Sequence, residues 1–405
     1  MTITQAHTDY RDPAVLERHI RSIMDFYEPV CIDREYGGFI NQLLDDGTVF
    51  DRMTKHIVGT CRFTYNFALS ALRFKEPLYR EAAAHGLDFL QRNHRQPDGG
   101  YAWVLQGTQV EDGTRYCYGM AFVLLAAAGA AKAGAPGANA YTSEIWDLLE
   151  ARFWEPAHQL YVDEIAVGDW AAVSLYRGQN CNMHMCEAML AAWEATREVR
   201  YLDRAELLAR RICVDLADRA GGLVWEHYHS DWSHDWDYNK DDPRHMFKPY
   251  GYLPGHFTEW SKLLLILNRH RPADWQVQRA ETLFRAAMAH AWDDENGGMH
   301  YSFAPDGTIL DTDRYYWVFA ESFAAAALLA LRTGDATWWD WYHRIWDYAD
   351  RHFVDHTHGG WFRILDLQGR KYSNQKSPAS KTDYHPLAAC HEVLEAMAYN
   401  RSVPR

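Results

Sequence analysis

The chain has 405 residues, with 41 Lys plus Arg against 55 Asp plus Glu and a formal net charge of −14. An acidic chain without Lys/Arg tracts is poorly suited to neutralise phosphates or to sit on an anionic bilayer, so neither nucleic acid nor membrane is expected as a partner. Apolar residues make up 48% and aromatics 14%, including 17 Trp and 24 Tyr; this excludes a disordered chain and supplies a large core.

Short apolar–polar alternations follow Gly pairs along the chain. They read YGGFINQL from Tyr36, DGGYAWVL from Asp98, GGLVWEHY from Gly221, GGMHYSFA from Gly297 and GGWFRILD from Gly359. A degenerate copy without glycines, HQLYVDEI from His158, falls in step. With Gly38, Gly100, Leu160, Gly222, Gly298 and Gly360 as markers, the repeat is roughly 60 residues, and six copies account for residues 1–405 as one domain. Period-two alternation predicts strands. The turn signals in LLDDGTVF from Leu43, APDGTIL from Ala304 and DLQGRKY from Asp366 predict hairpins.

Between the hairpins the pattern turns helical, with two helices per repeat. One follows the hairpin and is rich in Ala, Leu and aromatics, as in HIVGTCRFTYNFALSALRF from His56, MHMCEAMLAAWEAT from Met183 and VFAESFAAAALLALRT from Val318. The other precedes the next hairpin and carries more charge, as in PLYREAAAHGLDFLQRNH from Pro77 and YLDRAELLARRICVDLADR from Tyr201. A helix apolar on nearly all sides belongs inside and an amphipathic one outside. Twelve helices in six pairs predict a mainly α toroid, six inner helices ringed by six outer ones, with the hairpins gathered at one end. An open solenoid is the alternative, but the terminal repeats lack the polar caps it needs.

The N-terminus, MTITQAHTDYRDP, shows no basic region followed by an apolar core, so no secretory signal is expected. The longest apolar run, from Met120, is too short to span a bilayer. Seven Cys form no CxxC pair, and their odd number argues against a disulfide framework. A cytoplasmic location is the expectation.

The repeat places chemistry at the start of each inner helix. Repeat one offers Arg62, repeat two Tyr116 and Tyr118, and repeat three Asn180 and His184. Repeat four offers His256 and Glu259, repeat five Trp317 and Glu321, and repeat six Lys381 and His385. In a closed ring these positions converge on one axial pocket. His7, His94, His158 and His343 read instead as surface or satisfied core residues. His184, His256 and His385 suggest a metal site by number, yet no HExxH or other close ligand spacing links them, so no metal and no cofactor is expected. The segment WEHYHSDWSHDWDYNKDDPRH from Trp225 lengthens the fourth repeat. It reads either as a solvated acidic loop or as an aromatic rim whose Trp faces suit sugar rings.

QNCNMHMCEAML around His184, YLPGHFTEW around His256, YYWVFAES around Trp317 and SPASKTDYHPLAACHE around His385 resemble the N-acylglucosamine 2-epimerase superfamily over nearly the whole chain. The resemblance implies an (α/α)6 barrel, and SPASKTDYH is most similar to its mannose isomerase branch. The sulfoquinovose isomerases carry a Gln where Lys381 stands, which leaves open whether Lys381 meets a sulfonate or a hydroxyl. The resemblance puts the two catalytic histidines at His256 and His385 and substrate contacts at Arg62, Tyr118, Asn180, His184, Glu259, Trp317 and Lys381; Glu321 joins them as a substrate contact or as a partner of Arg62 or a histidine.

The implied activity is an aldose–ketose isomerisation of a monosaccharide through a cis-enediol, by a monomer or homodimer. A histidine suits this proton transfer without any pKa adjustment. His385 moves the proton between C2 and C1, and His256 opens the ring and serves O1 and O2. Glu259 orients His256 or a hydroxyl, Arg62 stabilises the enediolate, and His184 positions a hydroxyl. A 2-epimerase is the nearest rival. A glycoside hydrolase would need paired carboxylates, for which Glu259 and Glu321 are the candidates. A non-catalytic sugar-binding module is the third reading.

Overall fold

The structure, a computed structural model, describes residues 8–402 apart from Met246 and Ala379. His7 lies outside the described residues. Twelve α-helices alternate between an outer and an inner ring. They are α1 (Pro13–Cys31), α2 (Ile57–Phe74), α3 (Pro77–Phe89), α4 (Cys117–Lys132), α5 (Ala138–Arg152) and α6 (Gln179–Thr196), then α7 (Val199–Arg210), α8 (Pro254–His270), α9 (Asp274–Ala291), α10 (Tyr316–Thr333), α11 (Thr337–His352) and α12 (Tyr384–Ser402). Even-numbered helices form the inner ring. The arrangement is an (α/α)6 barrel with small antiparallel strand pairs at one end.

Composition decides which ring a helix joins. On α4 every residue from Gly119 to Ala130 is buried, and on α10 every residue from Val318 to Ala330. Ala-rich faces let neighbouring inner helices approach closely on both sides. The outer α11 is amphipathic instead. It buries Trp338, Tyr342, Ile345, Trp346 and Ala349 and leaves Asp340, Arg344 and Arg351 exposed, the helical spacing of one apolar stripe.

The strands close the ring. Residues just before each inner helix pair with the hairpin of the next repeat: Thr54 with Gln106, Arg115 with Ile165, Arg177 with Tyr228, Tyr252 with Phe303 and Arg314 with Leu365. Ser377 of the last repeat pairs with Leu43 of the first, and α12 packs against α1 and α2. The open solenoid is therefore excluded. These inter-repeat pairs carry no sequence signal of their own, whereas the Asp-Gly hairpin at Asp46–Gly47 does, and Gln42–Leu44 pairs with Val49–Asp51 as expected.

A recurrent ion pair ties several of the hairpins to the helix entry beside the pocket. Asp33 accepts the backbone N–H groups of Glu35 and Tyr36 and the Lys55 ammonium at 2.5 Å. Asp293 repeats this with Glu295, Asn296 and Arg314, and Asp355 with Thr357, His358 and Lys376. Burial works against the charge of all three carboxylates, yet these donors hold each below the ordinary carboxylate value. Gly360 belongs to this clamp. Its φ of +69° is left-handed, and a Cβ there would lie 2.7 Å from Asp383 Oδ2, so glycine is required.

At the opposite end the last turns of the inner helices meet in an ionic floor. Glu194 accepts Arg269 at 3.0 Å, Lys132 at 2.8 Å and His270 at 2.8 Å, while Arg269 also reaches Glu392 at 2.7 Å. Basic groups at helix C-termini complement the macrodipoles. The barrel is thus open at the hairpin end only.

Candidate active site

The hairpin end holds a cavity of about 490 Å³. Arg62, Tyr118, Asn180, His184, His256, Glu259, Trp317, Lys381 and His385 all line it, as does Tyr116. Ten of the residues singled out from helix starts and motifs thus converge, although they span the chain from residue 62 to residue 385. Glu321 does not. It lies behind His385, so its place as a substrate contact is corrected to that of a histidine partner.

The tautomer of His385 follows from its neighbours. Its Nε2 faces Arg62 Nη2 at 3.3 Å, and a guanidinium only donates. Nε2 is therefore the bare nitrogen, and Nδ1–H donates to Glu321 Oε1 at 2.7 Å. Burial, with Arg62, His184 and Lys262 nearby, drives the imidazole well below its ordinary pKa. His385 is a neutral base with its lone pair on the cavity side.

Arg62 is buried without a carboxylate at ion-pair distance among the described residues. It donates to the Ser380 carbonyl and the Tyr118 hydroxyl, both at 3.1 Å, and stacks on Phe122 and Tyr384. Its positive charge is thus left to act on the cavity, where a developing anion gains most from a fixed cation.

His256 is held differently from the expectation. Glu259 does not touch it. Both oxygens of Glu226 lie 2.9 Å from His256 Nδ1. Gln179 donates Nε2–H to the same carboxylate at 2.9 Å, and its amide orientation is fixed by the Trp260 indole N–H, which donates to Oε1 at 2.7 Å. Gln179 Nε2 also lies 2.9 Å from His256 Nδ1, but two carboxylate oxygens, which only accept, face the same nitrogen, so Nδ1–H is assigned to Glu226, and Nε2 has no partner among the described residues. Glu226 and Gln179 were not picked out from the sequence. Glu226 lies immediately before the His227–Tyr228 strand of repeat four, and Gln179 is one residue before Asn180; both follow from the repeat once strand pairing between repeats is known.

Glu259 instead approaches His184 Nδ1 at 3.7 Å, and His184 is bound at 3.2 Å to Glu187, another residue the sequence did not single out. Glu259 is buried, and neither of its oxygens has a hydrogen-bond partner among the described residues. Burial, then the nearby Glu321, raises its carboxyl well above the ordinary value. Its neutral form is thereby favoured, and in that form it can donate to a substrate oxygen at the cavity wall. Trp317 lies between the two histidines, its ring centroid 5.2 Å from His256 and 5.8 Å from His385. The Asn180 Oδ1 atom is also unpartnered.

Lys381 lines the cavity, but its ammonium is spent within the protein, donating to Asp383 Oδ1 at 2.5 Å and to the Trp361 carbonyl at 2.7 Å. Burial lowers its pKa to about 8. The insertion does form part of the rim, but not through its tryptophans. Trp225 and Trp232 are buried, and the rim residues are Tyr238, Asn239, His245, Phe247 and Lys248. The Trp rings are needed to pack the loop itself: Trp225 donates to the Asp235 carbonyl and stacks near Trp236.

Two groups of three ligand atoms each lie within 4.8 Å of one another: His184, Glu187 and Glu259, and Glu259, Glu321 and His385. In each group one carboxylate already serves other donors, and in Glu259, common to both, burial disfavours the charged form that would bind a cation. Glu187 meets His184, and Glu321 meets Lys262 at 2.5 Å as well as His385. The donor set fits a hydrogen-bonded acid–base network better than a cation cage.

Residues 37–389 match the N-acylglucosamine 2-epimerase (GlcNAc 2-epimerase) family. The chain belongs to this family. It is 50% identical over 383 residues to a D-mannose isomerase of Marinomonas mediterranea, covering 94% of this chain and 97% of that protein. A D-mannose isomerase of Thermobifida fusca is 36% identical over 371 residues, 90% of this chain and 89% of the relative. The crystal structure of a D-mannose isomerase superposes with a TM-score of 0.94 at 49% identity, covering 96% of this chain and 100% of that one.

Proposed function

We propose that the protein is an aldose–ketose isomerase that interconverts D-mannose and D-fructose by acid–base chemistry. The observation that carries this reading is the tautomer-fixed His385, whose bare Nε2 shares the cavity with an Arg62 that has no carboxylate at ion-pair distance among the described residues. The 50% identity to a D-mannose isomerase supports the choice of sugar.

His256, with Nδ1–H on Glu226, takes the O1 proton of the cyclic sugar at Nε2 and delivers it to the ring oxygen as the C1–O5 bond breaks, which leaves Nε2 free again. His385 Nε2 then removes the C2 proton. The C2–H electron pair becomes the C1–C2 double bond of a cis-enediolate, and the carbonyl pair moves onto O1. Arg62 offsets that charge, and Glu321 stabilises the imidazolium formed on His385. The same nitrogen returns the proton to C1, while His256 carries a proton from O2 to O1. Glu259 donates to a substrate oxygen, and Trp317 covers one face of the site. A single base that serves adjacent carbons on one face suits isomerisation.

The test is an NMR time course of the purified protein with mannose, glucose and fructose in deuterium oxide. Fructose from mannose, with deuterium entering at the transferred position, is the expected result. Glucose as the sole product would make the protein a 2-epimerase, and release of sugar from an oligosaccharide without exchange would make it a hydrolase. The seven cysteines are buried free thiols, which supports placing the protein in the reducing cytoplasm. No helix among the described residues is long and apolar enough to cross a membrane.

A further inference from the structure

A buried lysine stands behind His385, and the chemistry above makes no use of it. The Lys262 ammonium, on α8, lies 2.5 Å from Glu321 Oε2 and 3.7 Å from Glu187 Oε1, with 4% of its side chain exposed. The other oxygen of Glu321 is the one that accepts His385 Nδ1–H. One carboxylate is therefore bridged, with an ammonium on one side and the base's imidazole on the other. Lys262 does not line the cavity.

We infer that Lys262 is a positioning residue for His385: it holds Glu321 as an oriented anion, which keeps the imidazole proton on Nδ1 and the lone pair of Nε2 on the substrate side. The inference rests on the isomerase reading of the site.

The charges around this pair make the lysine decisive. Glu187 on α6, Glu259 on α8 and Glu321 on α10 crowd three buried carboxyls together, so they cannot all ionise without a cation. Burial pushes Glu321 above its ordinary value, and Lys262 is the largest influence pulling it the other way, though the group stays raised. Glu259 has no ammonium at contact distance and is raised well above it. On Glu187 burial again opposes ionisation, but Lys262 and His184 hold the group below its ordinary value. The remaining groups facing the cluster are Arg62 on α2, Tyr118 on α4 and Tyr384 on α12; Arg62, like His184 and Lys262, disfavours a proton on His385. Without Lys262, Glu321 takes up a proton. It then no longer selects Nδ1–H, and it no longer balances the imidazolium formed when His385 takes the C2 proton.

The experiment compares Lys262→Met and Lys262→Gln with Lys262→Arg, measuring kcat and KM for mannose against pH, with circular dichroism as the check on folding. The neutral variants are expected to keep KM but to lose kcat at neutral pH, because the acid limb moves up; each unit of movement costs about 10-fold below the new limb. The Arg variant is expected to return the limb to its original position. A folded neutral variant with an unmoved limb overturns the inference, as does an Arg variant that behaves like Met. If neither neutral variant folds, nitrogen-15 NMR of histidine-labelled wild-type protein decides: His385 protonated at Nδ1 supports the role, and protonation at Nε2 refutes it. Wild-type protein that turns over no aldose would refute the isomerase reading instead, and the histidine spectrum still reports on Lys262 separately.

Discussion

Replacing Glu226 by Gln tests how the second histidine is held. The substitution preserves shape and burial but removes the charge that fixes His256. In the wild type both carboxylate oxygens lie 2.9 Å from Nδ1, and Gln179 donates to one of them. With an amide in place of the carboxylate, one of the two positions presents N–H groups to donors already fixed by Gln179 and Trp260. A hydrogen bond to a charged group contributes about 1.5–3 kcal/mol. If that stabilisation is realised mainly when His256 carries the transferred proton, its loss costs about 10- to 100-fold in kcat. The effect should be largest on the cyclic sugar, where His256 begins ring opening. The assay follows ketose formation from mannose, with C2 deuterium exchange as a second readout and a thermal melt to confirm folding. A folded Glu226→Gln protein within about threefold of wild type would refute the assignment of Glu226 as the partner that fixes the tautomer.

His385→Asn should abolish both isomerisation and C2 exchange, a loss of at least about 10²–10⁴-fold; near-normal turnover in the folded variant would shift the base to another group. Incubation with EDTA should leave turnover unchanged, because the carboxylates nearest the base already bind Lys262 and His385; activity lost to chelation and restored by a divalent ion would contradict this. The melting temperature should fall on acidification from about pH 6.5. Burial lowers His19 and His94 to about 4 and His56 and His391 to about 3. Below the ordinary histidine value the unfolded chain binds protons that the folded one refuses, so each of these groups removes up to about 1.4 kcal/mol per pH unit until its folded value is reached. A melting temperature flat between pH 4.5 and 6.5, about the middle of that window, would show these imidazoles to be hydrated. Glu194→Gln should destabilise the ionic floor by about 1–3 kcal/mol, as Arg269, Lys132 and His270 lose a shared acceptor; calorimetry showing no change would mean water replaces it.

The sequence determined the architecture because the two signals that define it are local. Glycine pairs at positive φ mark four of the six hairpins, and helix composition sorts the rings: all-round apolar α4 and α10 go inside, and striped α11 goes outside. The cavity-lining residues were legible for the same reason, since repeat position alone carries Arg62, His184, His256 and His385 to one end. The partners of those residues were not legible. Glu226 reaches His256 only because Arg177–Gly178 pairs with His227–Tyr228 across a repeat boundary, and Glu321 turned out to stand behind His385 rather than in the cavity. Likewise the sequence left open whether Lys381 meets a sulfonate or a hydroxyl, and only the fold shows that Asp383 and the Trp361 carbonyl hold its ammonium. A residue's ring and its end of the barrel are set by backbone periodicity. Which nitrogen of a histidine carries the proton is set by atoms 2.7–3.3 Å away on residues at least 30 positions distant in the chain, and only tertiary packing decides which atoms those are.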